Sequence, residues 1–217
     1  MIFLEVEMTL LPTTYLGPIE YYAWLLKGDC MVECCNSYEK QTYANRCRIL
    51  ASEGVMDLTV PVAKPWHHVA LRDVRIAYDE DWQSMHSRAI KAAYGSAPFY
   101  EFFAEYLAPL YEHKWNFLID FDKKAEEIML KLLRLEDIIP IYSDEYISVD
   151  DCSIKDLRKI LHPKKNFVPL EINLGVEYYQ VFTPKFGFIS NLSVLDLVMN
   201  MGNEARLYLK RITNKKY

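Results

Sequence analysis

The strongest constraint on the fold lies in the first 35 residues. An apolar run, MIFLEVEMTLLP (1–12), precedes a punctuated helical segment, and a second apolar run, CMVECC (30–35), follows it. Gly17-Pro18 opens the helix, with proline expected at the first helical position, and Gly28 closes it after Lys27. Ile19, Tyr22, Ala23 and Leu26 form its apolar stripe. Strand, helix and strand in that order point to an α/β architecture.

The alternation continues downstream. MDLTVPVA (56–63) and LRDVRIAY (71–78) have strand composition; in the second, Leu71, Asp73, Arg75 and Ala77 alternate with Arg72, Val74, Ile76 and Tyr78. Residues 82–94 read as a helix with Trp82, Met85, Ala89 and Ala93 on one side. Another starts at Ser96-Ala97-Pro98 and runs to about 112, and a third spans about 117–135. IIPIY (138–142) is a candidate strand, SIKDLRKIL (153–161) a short helix, and LEINLGVEYYQVF (170–182) strand-like in composition. Ser193 is a natural N-cap, with Asp196 at the capping-box position and Leu192 and Leu197 spaced as a hydrophobic staple, for a last helix reaching about Arg211. The expected fold is α/β, a mixed central sheet with flanking helices and a helix-rich second half. One domain over 1–217 is expected, with the composition shift near 140–170 as the candidate sub-boundary.

Charge and composition narrow the function classes. Lysine and arginine total 25 against 30 acidic residues, a net charge of −5, which argues against a general nucleic-acid binder. No stretch approaches the roughly 18–20 continuous apolar residues of a membrane span. The start carries Glu5 and Glu7 and lacks the basic region and cleavage site of a signal peptide, so a cytoplasmic protein is expected. Five cysteines, an odd number with Cys34 and Cys35 adjacent, fit a reducing compartment. Cys30, Cys34, Cys35 and Cys47 read either as buried free thiols or as a thiolate cluster; the paired spacing of a structural zinc site is absent. His67 and His68 are adjacent, and neighbours on a strand or loop seldom face one metal together; no HExxH or HxH spacing occurs, so no metal is assigned. No glycine-rich phosphate loop, nucleophile elbow or kinase set is present, and no cofactor is expected.

The most unusual local chemistry lies in Tyr38-Glu39-Lys40-Gln41-Thr42-Tyr43-Ala44-Asn45-Arg46-Cys47-Arg48. Lys40, Arg46 and Arg48, with Gln41 and Asn45 between them, are the residue types of a phosphate or carboxylate site, and Tyr38 and Tyr43 can stack on a ring or bond a sugar hydroxyl. A solvated loop leading into a strand, with Arg46 and Arg48 on one exposed face, fits the same residues. His86 shares the apolar face of its helix with Trp82 and Ala89, as a general base or as a core histidine held by one hydrogen bond. Glu33, inside an apolar strand, requires a partner, for which Arg46 or Arg48 is the candidate. Asp120 and Asp122 sit near a helix start, a mainly structural placement.

Several blocks resemble the WbqC-like family. They are Tyr15-Leu16 leading into Ile19-Glu20-Tyr21-Tyr22; the run Tyr38, Lys40, Gln41, Tyr43, Asn45-Arg46, Arg48 and Leu58-Thr59-Val60-Pro61-Val62; and Asp73-Val74, Trp82, His86, Tyr94, Ala97-Pro98-Phe99 and Tyr106. A carboxyl-terminal block, Gln180-Val181-Phe182, Lys185-x-Gly187-Phe188 and Asn191-Leu192-Ser193-x-x-Asp196, resembles the long form of the family. Where the family has a histidine–glutamine–proline run before the Tyr-Leu pair, this chain has Leu11-Pro12-Thr13-Thr14. The resemblance implies a part in bacterial surface polysaccharide (O-antigen) biosynthesis and a small-molecule sugar substrate, nucleotide-linked in one version. It implies acyl or aminoacyl transfer onto an amino sugar, with Lys40, Arg46 and Arg48 on the diphosphate and Tyr15, Glu33, Tyr38, Gln41 and Tyr43 completing substrate binding. His86 would then take the proton from the attacking amine, and Asn45 or Gln41 would donate to the oxyanion. The alternative is a non-catalytic sugar-phosphate-binding or protein-interaction module, and the oligomeric state is left open.

Overall fold

The computed structural model describes residues 8–64, 69–149, 154–164 and 171–213. The first seven residues of the amino-terminal run, His67, His68, Cys152, Ser153 and Leu170 lie outside the described residues.

Strand β1 (Met8–Pro12), helix α1 (Ile19–Lys27) and strand β2 (Cys30–Glu33) form the expected succession. β1 and β2 pair in parallel, with Leu10 opposite Met31 and Pro12 opposite Glu33, and a parallel pair needs a crossover such as α1 provides. Pro18 takes the N-cap rather than the first helical position, and Gly28 closes the helix at a φ of 89°. Two short strands extend the sheet: β5 (Ile141–Tyr142) on β2 and β6 (Ile154–Asp156) on β1, giving the all-parallel order β5-β2-β1-β6. An antiparallel hairpin, β3 (Arg46–Ala51) and β4 (Gly54–Thr59), forms a separate two-stranded sheet. The α/β class holds, with parallel and antiparallel pairing kept in different sheets.

Helices α2 (Trp82–Tyr94), α3 (Tyr100–Glu112) and α4 (Leu118–Leu132) follow, then a one-turn α5 (Thr183–Phe186), α6 (Val194–Met201) and α7 (Ala205–Thr213). α2 buries Trp82, His86, Ile90 and Ala93, whereas Met85, expected on the same side, is 45% exposed. Tyr15, Tyr21, Tyr22, Trp24, Trp82 and Phe121 are among the largest fully buried side chains.

Four local expectations are corrected. Residues 71–78 form a 3-10 turn (Leu71–Asp73) and isolated bridges, Val62 to Ile76 and Arg75 to Phe117, instead of a strand. SIKDLRKIL does not form a helix: residues 154–156 are recruited as β6 by the open edge of β1, and Asp156 then accepts from the Arg158 backbone N–H in a turn. Residues 171–182 carry no strand; Asn173 donates its N–H to Ile212 and Tyr208 its hydroxyl to Val176, so this segment is tied to α7 and not to a sheet edge. The last helix is broken at Gly202, which holds a φ of 53° between α6 and α7 at a position where an added Cβ would lie 2.4 Å from Phe99. Ser193 does cap α6 through Leu195 N–H, but the Asp196 carboxylate accepts from the Tyr178 hydroxyl at 2.5 Å and from Gln180.

Candidate functional site

A cavity of about 720 Å³ opens at the carboxyl ends of β1, β2 and β6. Ligands of open parallel sheets bind beyond those strand ends, where successive loops diverge. Its wall includes Thr13 after β1, Cys35 and Asn36 after β2, and Asp156, Arg158 and Lys159 at and beyond the end of β6. The loop before β3 contributes Tyr38, Glu39, Thr42 and Tyr43, and the segment after β5 contributes Tyr146 and Ser148.

A fixed ion-pair network underlies this wall. Arg158 clasps Asp156 with two bonds, Nε to Oδ1 and Nη2 to Oδ2, both 2.9 Å. Its Nη1 lies 3.2 Å from Glu33 Oε2 and 3.0 Å from the Ile147 carbonyl. Glu33 is fully buried and also accepts from Cys35 N–H (2.7 Å), the Ser143 hydroxyl (2.9 Å) and Ile147 N–H (2.9 Å). Every lone-pair direction of this carboxylate is therefore occupied, as burial of a charge requires. The Arg158 contacts hold the Asp156 carboxyl below the usual range, against burial, which raises it. The partner of Glu33 is thus Arg158, not Arg46 or Arg48.

The sequence-nominated residues divide into two groups. Tyr38 and Tyr43 line the cavity, and burial raises both phenols, with Arg46 opposing at Tyr38 and Arg48 at Tyr43. Lys40 is exposed and Gln41, at a φ of 65°, bonds Lys164; neither lines the cavity. Arg46 and Arg48 lie on β3 and face Asp57 of β4, at 2.9 Å and 3.8 Å. Asn45 is buried; its Nδ2 donates to the Val60 carbonyl at 2.8 Å, and its Oδ1 has no partner among the described residues.

His86 and Tyr15 are elsewhere. The Tyr15 hydroxyl lies 3.0 Å from His86 Nδ1 and 2.7 Å from the Tyr111 hydroxyl, inside a cluster completed by Trp82 and Phe121. Burial pushes the His86 imidazole down to about 4, with a backbone hydrogen bond to Thr59 opposing, so the ring is neutral at physiological pH. Neither residue lines the cavity.

Sequence reasoning missed Asp156, Arg158, Lys159 and Tyr146. The only signal was the D-x-R-K order in a segment whose apolar spacing read as helical; recognised as a strand end, it places all three charged residues at the sheet's carboxyl edge. Asp122, expected in a mainly structural placement near a helix start, is buried, neither of its oxygens has a partner among the described residues, and burial holds it well above the usual carboxylate range. One turn on, Glu126 accepts from Tyr21 and Tyr142, joining α4 to α1 and β5.

Among the described residues the thiols do not gather into one cluster. Cys34 and Cys35 both approach the Ser143 carbonyl, Cys30 bonds the Trp24 carbonyl, and Cys47 is buried in the core. Among the described residues no three histidine, cysteine or acidic side chains gather as a metal site, and no helix is long and apolar enough to cross a membrane.

A model of the WbqC-like protein family matches residues 13–166, more than two thirds of the chain. The chain belongs to the WbqC-like family. That span contains β2, the 38–48 loop, and the Asp156–Lys159 turn, so every cavity residue but Pro12 falls inside it. An uncharacterised protein of Mycobacterium tuberculosis (strain ATCC 25618 / H37Rv), Rv1507c, is 37% identical over 75 residues, which is 34% of this chain and 32% of that protein. The match therefore spans about a third of that relative's length. No solved structure matches the chain.

Proposed function

We propose that this WbqC-like chain binds an amino sugar, free or nucleotide-linked, in the cavity at the carboxyl ends of β1, β2 and β6, and transfers an acyl or aminoacyl group to it. The carrying observation is the cavity itself: about 720 Å³, within the usual range for small-molecule sites, walled by hydroxyl, amide, phenol and charged groups on a rigid ion-paired floor. The faces of Tyr38, Tyr43 and Tyr146 suit a pyranose ring, and their hydroxyls suit its oxygens. In the transfer the neutral amine nitrogen bonds the carbonyl carbon of an activated thioester or ester donor, the bond to the carrier breaks, and the proton lost by the amine ends on the departing carrier's sulfur or oxygen. A place in surface polysaccharide assembly follows from such a substrate. Arg46 and Arg48 face Asp57, so the diphosphate role considered for them gains no support, and the proposal concerns the sugar.

A non-catalytic sugar-binding module is the second reading. It is favoured by the placement of His86 with Tyr15 and Tyr111, away from the cavity wall.

The test is a thermal-shift and titration series with glucosamine, galactosamine and their uridine diphosphate derivatives. Ligand at about 100 times Kd adds roughly 2.7 kcal/mol of stability. Binding that Tyr38→Ala weakens at least tenfold supports the site; silence across the series overturns it. Mass analysis for N-acylated product with thioester and aminoacyl donors separates the two readings, since a module binds without turnover.

A further inference from the structure

We infer that Cys34 and Cys35 form a two-thiol site at the cavity wall that takes a soft trivalent centre, an organic arsenical being the type, an inference independent of the sugar reading. Successive side chains of a strand face opposite ways, which would keep adjacent thiols apart. The β1–β2 ladder ends at Pro12 and Glu33, however, and the chain bends just beyond it. Both sulfurs converge there. The Cys34 thiol donates to the Ser143 carbonyl at 3.1 Å, the Cys35 thiol reaches the same oxygen at 3.5 Å, and the two thiols hydrogen-bond each other. Ser143 is itself fixed: its N–H donates to the Val32 carbonyl, its hydroxyl donates to Glu33, and the hydroxyl oxygen accepts from Cys34 N–H. Cys35 is half-buried and lines the cavity, while Cys34 is only 5% exposed.

The placement favours a bridged pair over a direct sulfur–sulfur bond. Consecutive Cα atoms stand about 3.8 Å apart, shorter than the roughly 4.4–6.8 Å of an ordinary disulfide. An atom held between the sulfurs removes that strain, and thiolates select soft centres. Structural zinc takes four ligands, and among the described residues no third histidine, cysteine or acidic side chain joins the pair. A trivalent arsenical needs only the two sulfurs, because its own carbon substituent fills the third position. The cavity of about 720 Å³ beside Cys35 has room for that substituent. Arg72 Nη1 lies 3.4 Å from Cys35 Sγ while also bonding the Asp144 carbonyl at 2.9 Å. A guanidinium there stabilises negative charge on the sulfur, and the thiolate is the form that bonds. Burial raises the Cys34 thiol, so that sulfur enters protonated. When an arsenoxide binds, two As–S bonds form, its bonds to oxygen break, the oxygen leaves as water with one proton from each thiol, and arsenic stays trivalent.

The experiment is titration of the fully reduced full chain with phenylarsine oxide, followed by intact mass and by peptide mapping of the thiols protected from alkylation. One equivalent is expected to bind and to protect both thiols of the peptide carrying Cys34 and Cys35. A dithiol such as 2,3-dimercaptopropanol is expected to release it, and glutathione at the same thiol concentration is not. Cys34→Ser and Cys35→Ser should each weaken binding about a hundredfold or more, because the second bond of a linked pair adds roughly 10²–10⁴. Cys30→Ser should bind as the wild type does, since its thiol is taken by the Trp24 and Gly28 carbonyls. Arg72→Ala, at an exposed side chain, should weaken binding several-fold. A single-cysteine variant at 34 or 35 that binds as tightly as the wild type overturns the inference, as does an adduct mapped to Cys30, Cys47 or Cys152. Binding indifferent to Arg72→Ala overturns the site as a feature of the fold. No sugar enters these measurements, so their failure leaves the sugar site standing.

Discussion

Arg158 joins the ends of two strands that are separated by β1 in the sheet: its guanidinium lies 3.2 Å from Glu33 at the end of β2 while clasping Asp156 of β6. The carboxylate it meets is fully buried, and the guanidinium side chain is only 10% exposed. Removing the cation leaves a buried charge with neutral donors alone. Arg158→Met should therefore cost about 3 kcal/mol, the lower end for a broken buried pair, because Cys35, Ser143 and Ile147 still donate to Glu33. Arg158→Lys should lose much of the same stability, since a point charge cannot reproduce the paired bonds to Asp156. Urea unfolding at neutral pH measures both, and combining Glu33→Gln with Arg158→Met should recover part of the loss.

His86 gives a prediction of opposite character. Its imidazole is depressed from 6.5 to about 4 by burial. A base with a lowered folded pKa contributes stability that is whole above the unfolded value and is lost as pH falls through the folded one. The wild type should thus lose stability progressively from pH 6.5 towards 4, and His86→Gln should flatten that part of the profile. Thermal midpoints taken across this window test it. Sugar affinity should be unchanged in the same variant, because His86 bonds Tyr15 and does not line the cavity.

Glu20 behaves in the reverse sense. It is 2% exposed, its Oε1 has no partner among the described residues, and burial raises it from 4.5 to about 7 against the opposing bond from Asn191. Because the folded value lies above the unfolded one, its contribution is present below pH 4.5 and is lost as pH rises through 7. Glu20→Gln keeps the amide contact with Asn191 without the charge. It should match the wild type near pH 4 and exceed it by on the order of 2 kcal/mol at pH 8.5 in denaturant titrations.

What could be read from sequence depended on how local the determinants are. α1 and α2 were legible because glycine, proline and a 3.6-residue stripe lie within the segments themselves. β6 was not: Ile154, Leu157 and Leu161 have helical spacing, and only the parallel pairing of Ile154 with Met8, across the sequence, makes residues 154–156 a strand. The same gap hid part of the cavity wall. Tyr38 and Tyr43 were nominated by residue type and line it, but Asp156 and Arg158 take their place from standing at a strand end that local pattern does not reveal. Local pattern also could not show that β3 turns Arg46 and Arg48 towards Asp57, a partner fixed by hairpin register, with Arg48 opposite Asp57.

Gly202 marks another place where tertiary packing overrode the pattern, since nothing in VLDLVMNMGNEARLYLKRI stops a helix except that single glycine. The residue holds a φ of 53°, and a Cβ there would lie 2.4 Å from Cδ1 and 2.5 Å from Cε1 of Phe99. Phe99 cannot yield easily: it stacks on Phe103 and its N–H donates to the Met199 carbonyl, so it seats the start of α3 against α6. Gly202→Ala combines a left-handed backbone penalty with a ring clash, for a loss of about 2–4 kcal/mol. Phe99→Ala in the same background should relieve the clash part, leaving a double variant less destabilised than the two single costs added together. Urea midpoints of the four proteins in that cycle give the coupling directly, and strict additivity would show that the break between α6 and α7 is not held by Phe99.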